Sequence, residues 1–335
     1  MNLIYSPFTF MASMSLMIST LMALSSANWI LLWTAMELNL LSFIPLILNS
    51  STNQETEGSV KYYLAQALGS SLLLMSSSAM WMPFTPWPNA MPFILTLAVM
   101  LKLGSVPCHF WYPSVMASIS WISCLILSTW QKLAPLSIMA YILPMNNMTL
   151  VTAMAGLNAL IGGIMGMNQS QVRTIMAYSS IGHIGWMMSL VSIFKPNSSI
   201  MYFIVYSMLI TPLFLTFSYF NIFTIKQLSK MSSISQNMHF STIMLLMSLG
   251  GLPPLTGFMP KFMSIMLLTE SMSLIILMLI VGSIMNLYFY LNIVISMMFS
   301  AANSNMSSYK MTKSYSPMVL IAATMSLGLA PLITM

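Results

Sequence analysis

The chain has 335 residues, of which 58% are hydrophobic and 4% are charged. A soluble domain carries about 25% charged residues, so ten Lys and Arg with four Asp and Glu cannot cover a water-facing surface. The net charge of +6 is scattered, without the basic cluster that follows phosphates, which excludes nucleic acid as a partner. The composition therefore predicts one membrane domain over residues 1–335, surrounded by lipid.

Apolar runs of about 20 residues predict transmembrane helices, because a helix of that length crosses the hydrocarbon core. Strands are excluded, since they would be about ten residues long with alternating polarity. The fold class is therefore all-α, with about eleven spans. These spans cover residues 3–24, 28–48, 59–81, 91–115, 120–142, 149–167, 174–194, 199–222, 241–268, 273–298 and 316–334.

Basic residues in the loops orient these predicted helices. The side of the membrane that carries the N-terminus holds Lys61, Arg173, Lys226, Lys230, Lys310 and Lys313. The opposite side holds Lys195. Because basic loops stay on the inner side of a membrane, we expect the N-terminus inside and the C-terminus on the opposite side.

Ionisable residues inside the predicted spans are the candidate functional residues: Glu37, Lys102, Lys132 and Lys261. A charge at the bilayer centre costs about 2.5–3.5 kcal/mol on insertion scales, so such residues face a bundle interior, pair together or line an ion path. One acidic and three basic groups favour a proton relay. The alternative is a buried Glu–Lys pair that only locks two helices together.

Two predicted helices contain Gly and Pro beside a lysine. The fourth reads VMLKLGSVPCHFWYP and the ninth reads SLGGLPPLTGFMPKF. Proline removes a backbone donor, and in lipid the freed carbonyl is tolerated only where protein or water satisfies it. We therefore expect discontinuous helices near 103–107 and 250–255. The two broken helices are the fourth and the ninth, five helices apart. Because this number is odd, the two halves have opposite orientations, which predicts inverted repeats with a transport site at the breaks.

The breaks give the lysines different electrostatic surroundings. Lys102 precedes its break, near the C-terminal end of a half-helix, where the helix dipole favours the ammonium. Lys261 follows its break, in the first turn of the next half-helix, which disfavours the ammonium. We expect the neutral amine to be more favoured at Lys261 than at Lys102. Lys132 lies mid-span in TWQKLAPL, where Pro135 has no N–H to donate to the carbonyl of Gln131, so that carbonyl is available to water.

Histidines add two candidate relay residues, His109 and His183, because imidazole suits proton exchange. A lone histidine in a helix is more often a satisfied core residue, and both readings stay open. The sequence contains no GxGxxG after a strand, no Walker loop, no HExxH and no paired carboxylates. No metal or cofactor is therefore expected in this chain.

Six motifs carry a resemblance over nearly the whole chain. In this order they resemble the antiporter-like membrane subunits of mitochondrial NADH:ubiquinone oxidoreductase, respiratory complex I. The 40 methionines are similar to those of animal mitochondrial products, in which an additional codon is read as Met. The motifs are WTAMELNLLSFIP at 33–45, KYYLAQALGS at 61–70, LKLGSVPCHFWYP at 101–113, TWQKLAPLSIM at 129–139, MNQSQVRTIMAYSSIGHIGW at 167–186 and SLGGLPPLTGFMPKF at 248–262.

The resemblance implies a role for each intramembrane residue. Glu37 matches the family's glutamate, and Lys102 is its partner lysine on the first broken helix. Lys132 matches the central lysine of the hydrophilic axis, and Lys261 the terminal lysine on the second broken helix. The resemblance also implies the mitochondrial inner membrane, with the N-terminus in the matrix and the C-terminus in the intermembrane space. Other complex I membrane subunits, especially antiporter-like ones, would be its partners, and NADH, FMN, Fe–S clusters and ubiquinone would bind elsewhere.

Two positions depart from the resemblance. Ser114 stands where many relatives have an acidic residue, and Thr174 stands where many have a second basic one.

The predicted function is proton translocation, in which quinone reduction elsewhere changes the electric field at one end of the row of ionisable residues. A stand-alone cation/proton antiporter is one alternative, and it would require sodium-coordinating carboxylates near the breaks. A scaffold subunit with a dry core around Lys132 is the other.

Overall fold

Long apolar runs form helices because only a helix satisfies all its backbone groups within one segment in lipid. A computed structural model describes residues 7–50, 52–81, 90–141, 148–228, 236–269 and 272–303. In these ranges the chain is helical, and an isolated bridge joins Gln171 and Thr224. The helices are α1 (Pro7–Ser25), α2 (Trp29–Ile47), α3 (Asn53–Trp81), α4 (Ala90–Leu103), α5 (Trp111–Ser118), α6 (Trp121–Ser128), α7 (Trp130–Tyr141), α8 (Met148–Met167), α9 (Val172–Ser192), α10 (Pro196–Phe220), α11 (Gln236–Gly250), α12 (Phe258–Leu268) and α13 (Ser273–Asn303), with short 3₁₀ turns at Leu48–Ser50 and Ile225–Leu228.

The predicted all-helical membrane fold is confirmed for the described residues. Six helical spans there are long and apolar enough to cross a membrane: Pro7–Ser25, Trp29–Ile47, Trp121–Ala140, Met148–Met167, Pro196–Phe220 and Ser273–Phe299. The predicted span 316–334 and the loop residues Lys230, Lys310 and Lys313 lie outside the described residues. The count of eleven spans therefore stays a prediction.

The first of two compact units comprises Met1–Val151. In this unit α1 packs on α2, α2 on α3, and α3 on both α4 and α5. The buried face of α2 carries Ala35, Leu40 and Phe43, whereas α1 leaves Phe8 and other large apolar side chains exposed. Because α3 packs on three helices, some of its polar side chains, including Tyr62 and Gln66, are buried inside the unit.

The second unit comprises Thr152–Met335. Nearly all of α9 is buried, and the helix packs against α10, α12 and α13. Small residues allow α8 to approach α9 closely, since a Cβ on Gly185 would lie 2.7 Å from the carbonyl oxygen of Ala155. Close approach through small residues is the usual packing device of membrane helices.

The predicted break near 103–107 is confirmed. Helix α4 ends at Leu103, and the next residue, Gly104, has φ of 69°. Its neighbour Ser105 donates a backbone bond to the carbonyl of Met100 at 3.0 Å, which closes a Schellman motif. Glycine adopts this left-handed conformation without the Cβ penalty, and the chain becomes helical again at Trp111.

The predicted break near 250–255 is confirmed and has the same construction. Helix α11 ends at Gly250, and Gly251 has φ of 84°. Leu252 donates a backbone bond to the carbonyl of Met247 at 3.4 Å, again a Schellman motif. The chain becomes helical again at Phe258, so the two breaks share one local architecture.

A further interruption, which the sequence did not predict, divides the span 120–142 into α6 and α7. The Thr129 hydroxyl donates to the carbonyl of Leu125 at 2.7 Å, a back-bond that bends helices. The Lys132 N–H donates to the carbonyl of Thr129 at 3.3 Å, and the ring of Pro135 crowds the preceding turn. Lys132 therefore lies in the first turn of α7, while its predicted position in the middle of the span Trp121–Ala140 is confirmed.

Candidate functional site: a lysine-lined cavity and two helix breaks

A cavity of about 20 Å³ inside the first unit brings two predicted relay residues together. About 10–15 Å³ is enough for one water molecule. No acidic side chain is among the described residues that line it. The lining residues are Met36, Asn39, Leu40, Tyr62, Gln66, Lys102, Leu103, Trp111, Tyr112, Leu127, Gln131, Lys132 and Pro135.

Carbonyls freed by the first break are satisfied by side chains. The Gln66 amide donates to the carbonyl of Lys102 at 3.2 Å, and the Trp111 indole N–H donates to the carbonyl of Leu101 at 3.0 Å. These bonds meet the requirement that non-helical backbone in a membrane be satisfied by protein or water. They also fix the break, and the backbone of Lys102 with it, against α3 and α5.

Lys132 is buried at 2% exposure. Its Nζ lies 4.8 Å from the centroid of the Tyr112 ring, an arrangement in which the ring face attracts an ammonium. Beside it, the Tyr62 hydroxyl donates to Gln131 Oε1 at 3.4 Å. Gln131 and Pro135 line the same cavity, so the side chain of Lys132 and the turn that contains Pro135 border one space large enough for a water molecule.

Glu37 and Lys102, the partners that the resemblance implies, do not form a direct ion pair. Glu37 is half-buried on α2 and interacts electrostatically with Lys102. Within the described ranges, however, no contact of 4.0 Å or less joins the two side chains. Its neighbours Met36 and Asn39 line the cavity, whereas Glu37 does not. The carboxylate therefore acts on Lys102 through space.

Lys261 lies in the first turn of α12, as predicted, but its ammonium does not remain there. The side chain extends back across the break, and Nζ donates to the carbonyl oxygens of Gly250 at 2.8 Å and Leu249 at 3.3 Å. These are terminal carbonyls of α11, at the negative end of a helix dipole. The ammonium therefore lies at the C-terminal end of a half-helix, which removes the dipole argument for a neutral amine, and the preference for the neutral amine at Lys261 over Lys102 stays a prediction.

The two candidate histidines differ in their surroundings. His183, on α9 in the second unit, is buried, and its Nδ1 lies 2.9 Å from the hydroxyl of Tyr202. The ring also lies 4.9 Å from the ring of Tyr206. His109, in the first unit, is buried in the break segment with its ring 4.2 Å from that of Phe110.

Several cavity residues were missed from the sequence: Tyr62, Gln66, Tyr112 and Gln131. Tyr62 and Gln66 are four residues apart in KYYLAQALGS, so they share one face of α3. Polar residues at helical spacing in an apolar helix were the available signal.

In the described part of the chain, His, Cys, Asp and Glu form no group of three that could hold a metal ion.

Comparisons with known proteins agree with this architecture. The family model described as NADH:quinone oxidoreductase/Mrp antiporter, transmembrane, matches residues 26–85 and 86–287. NADH-ubiquinone oxidoreductase chain 2 of Lumbricus terrestris is 62% identical over 333 residues, covering 99% of both chains. The same-named protein of Oryctolagus cuniculus is 37% identical over 95% of both chains.

A solved structure shows that the fold is shared. A chain of respiratory complex I from Thermus thermophilus superposes with a TM-score of 0.85 at 19% identity, over 98% of this chain and 79% of that one. Together with the sequence matches, this likeness makes the chain a homologue of NADH-ubiquinone oxidoreductase chain 2. The chain belongs to the NADH:quinone oxidoreductase/Mrp antiporter transmembrane family.

Proposed function

We propose that this chain is a proton-translocating membrane subunit of respiratory complex I in the mitochondrial inner membrane. Glu37, Lys102, Lys132 and Lys261 form its relay. The observation that carries the proposal is the buried cavity that two lysines share at a helix break. The chain binds no cofactor, and other subunits hold the NADH, FMN, Fe–S and ubiquinone sites.

Lys102 and Lys132 suit proton transfer because they line one small polar space. Two ammonium groups in such a space repel each other, so one shared proton is favoured over two. The Tyr112 ring stabilises an ammonium at Lys132, and Glu37 stabilises one at Lys102. A change in the field at Glu37 therefore shifts the proton between the two lysines, with the breaking of one N–H bond matched by the formation of another.

Lys261 forms the terminal relay position. Its Nζ, held by the last carbonyls of α11, is stabilised as an ammonium until a neighbouring charge competes for the proton. His183, bonded to the hydroxyl of Tyr202, is an additional relay candidate on the same unit. His109 is a further candidate at the first break.

The membrane arrangement completes the proposal. One transmembrane domain of about eleven helices, with inverted repeats marked by the two breaks, has its N-terminus in the matrix and its C-terminus in the intermembrane space. Loop charges support this orientation. Other complex I membrane subunits, including antiporter-like ones, are the partners.

The experiment compares Lys132→Met and Glu37→Gln in membranes where assembly of the complex has been verified. Lys132→Met removes the titrating amine, so we expect NADH-driven proton translocation and coupled turnover to fall. Glu37→Gln keeps the shape and removes the charge, so we expect a smaller loss. A requirement for sodium would favour the antiporter, and normal translocation in Lys132→Met would favour the scaffold.

A further inference from the structure

Helix α3 carries a buried polar face that the relay does not use. Glu55, Ser59, Tyr62 and Gln66 follow each other at spacings of four, three and four residues, which places them on one side of the helix. Their exposures are 5%, 6%, 1% and 8%. Polar groups are expensive to bury in a membrane protein and mark ion pathways. This set is named the α3 polar face below.

The inner end of the α3 polar face reaches the lysine-lined cavity. Tyr62 and Gln66 line that cavity together with Lys102 and Lys132. The Tyr62 hydroxyl bonds to the residue preceding Lys132 in the chain, and the Gln66 amide bonds to the backbone of Lys102. Each relay lysine therefore lies close to a polar residue of the α3 polar face.

The outer end of the α3 polar face lies where the helix begins. Glu55 is in the first turn of α3 and is buried, whereas Asn53 and Glu57 on either side of it are exposed. A carboxylate is favoured near the N-terminus of a helix. Glu55 is therefore a buried acidic side chain at the start of α3, next to exposed residues.

Helix α5 covers the α3 polar face and runs antiparallel to it. A Cβ on Gly58 would lie 2.2 Å from Oγ of Ser118, and the ring of Tyr62 lies 6.0 Å from that of Trp111. The start of α3 thus lies beside the end of α5, and the middle of α3 lies beside the start of α5. The covered face is about 16 Å long from Glu55 to Gln66, at 1.5 Å per residue.

We propose that the α3 polar face is the route by which protons reach Lys102 and Lys132, with Glu55 as its outermost proton carrier. This inference rests on the proposed function and adds the side of entry, which is the side at which α3 begins. The Glu55 carboxylate takes a proton from water at the surface. Its O–H bond then breaks as the proton passes through waters beside Ser59 and Tyr62, and an N–H bond forms at a neutral lysine amine.

The test is Glu55→Gln in the assembled complex, with Glu57→Gln as the matched control. The control removes the same charge two residues away. Glu57 is exposed, and the pKa of its carboxyl is lowered by a hydrogen bond from Lys61 and by the positive charge of Lys61. We expect Glu55→Gln to lower coupled proton translocation by about a hundredfold or more, since a positioned proton-transfer group contributes about 10²–10⁴-fold. We expect Glu57→Gln to retain it, and Glu55→Asp to restore much of the rate.

A role in proton transfer has a signature that a structural role lacks. Small weak acids such as formate, added on the entry side, should relieve the Glu55→Gln defect. Normal translocation in Glu55→Gln would overturn the route, and so would a defect that Glu57→Gln shares and formate does not relieve. If Glu55→Gln does not assemble, Ser59→Val tests the same route, and its normal translocation would overturn it. A normal Lys132→Met complex, in contrast, would remove the proposed function itself.

Discussion

Gly251→Ala should disable Lys261 although the lysine itself is not substituted. Gly251 has φ of 84°, where a residue with a Cβ is strained by about 1–2 kcal/mol. Its added Cβ would lie 2.8 Å from Nζ and 2.9 Å from Cδ of Lys261, so the lysine must move. Moving it weakens charged hydrogen bonds to terminal carbonyls of α11, which contribute about 1.5–3 kcal/mol each. Strain and one lost bond together come to roughly 2.5–5 kcal/mol.

Gly250→Ala is the matched control, because it adds the same methyl group one residue earlier. Its Cβ would meet its nearest neighbour, Tyr290, at 3.7 Å, an ordinary contact, and the Gly250 carbonyl that accepts from Lys261 stays in place. We expect Gly251→Ala to lower coupled proton translocation and Gly250→Ala to keep it, in membranes with equal amounts of assembled complex.

A double-mutant cycle with Lys261→Met tests whether the effect of Gly251→Ala passes through the lysine. If it does, the double variant should be no worse than Lys261→Met alone, since the two changes remove one interaction. Equal translocation by Gly251→Ala and Gly250→Ala would refute the reasoning, and so would fully additive losses in the cycle.

Other predictions concern the first break, the α8–α9 contact and the histidine. Gly104→Ala should lower the amount of assembled complex on native gels, since φ is 69° and its Cβ would lie 2.9 Å from Cβ of Tyr112; unchanged assembly would contradict this. Gly185→Val should separate α8 from α9 and prevent assembly, and a stable complex would show that the helices can repack. Tyr202→Phe removes the hydroxyl bonded to His183, so coupled turnover should fall at equal assembly if the histidine carries protons; normal turnover would exclude it from the route.

The breaks could be predicted from the sequence because Gly and Pro act locally. A glycine that follows a helix end adopts the left-handed conformation wherever the fold needs it, so Gly104 and Gly251 mark their breaks without knowledge of the partners. Hydropathy likewise predicts helices from chain-local information. The interruption at Thr129 was missed because a threonine back-bond depends on the rotamer that the surroundings select.

Side-chain reach could not be predicted from the sequence. The long side chain of Lys261 rotates about several bonds. Its Nζ donates to the carbonyl oxygen of Gly250 on the other side of the break and does not stay beside its own helix turn. Glu37 and Lys102 sit on different helices, so their separation depends on packing rather than on sequence spacing. The ring of Tyr112 lies next to Nζ of Lys132. The two residues are on different helices, so their contact depends on how those helices pack.

The number of protons translocated per NADH oxidised by Lys132→Met and Lys132→Arg complexes tests the central claim most directly. Arginine keeps the positive charge beside Tyr112 but does not release its proton, so a relay should fail with either substitution. We predict that both assembled complexes translocate fewer protons per NADH than the unchanged complex. An unchanged stoichiometry in Lys132→Met, or one restored by Lys132→Arg, would contradict the claim that Lys132 carries protons.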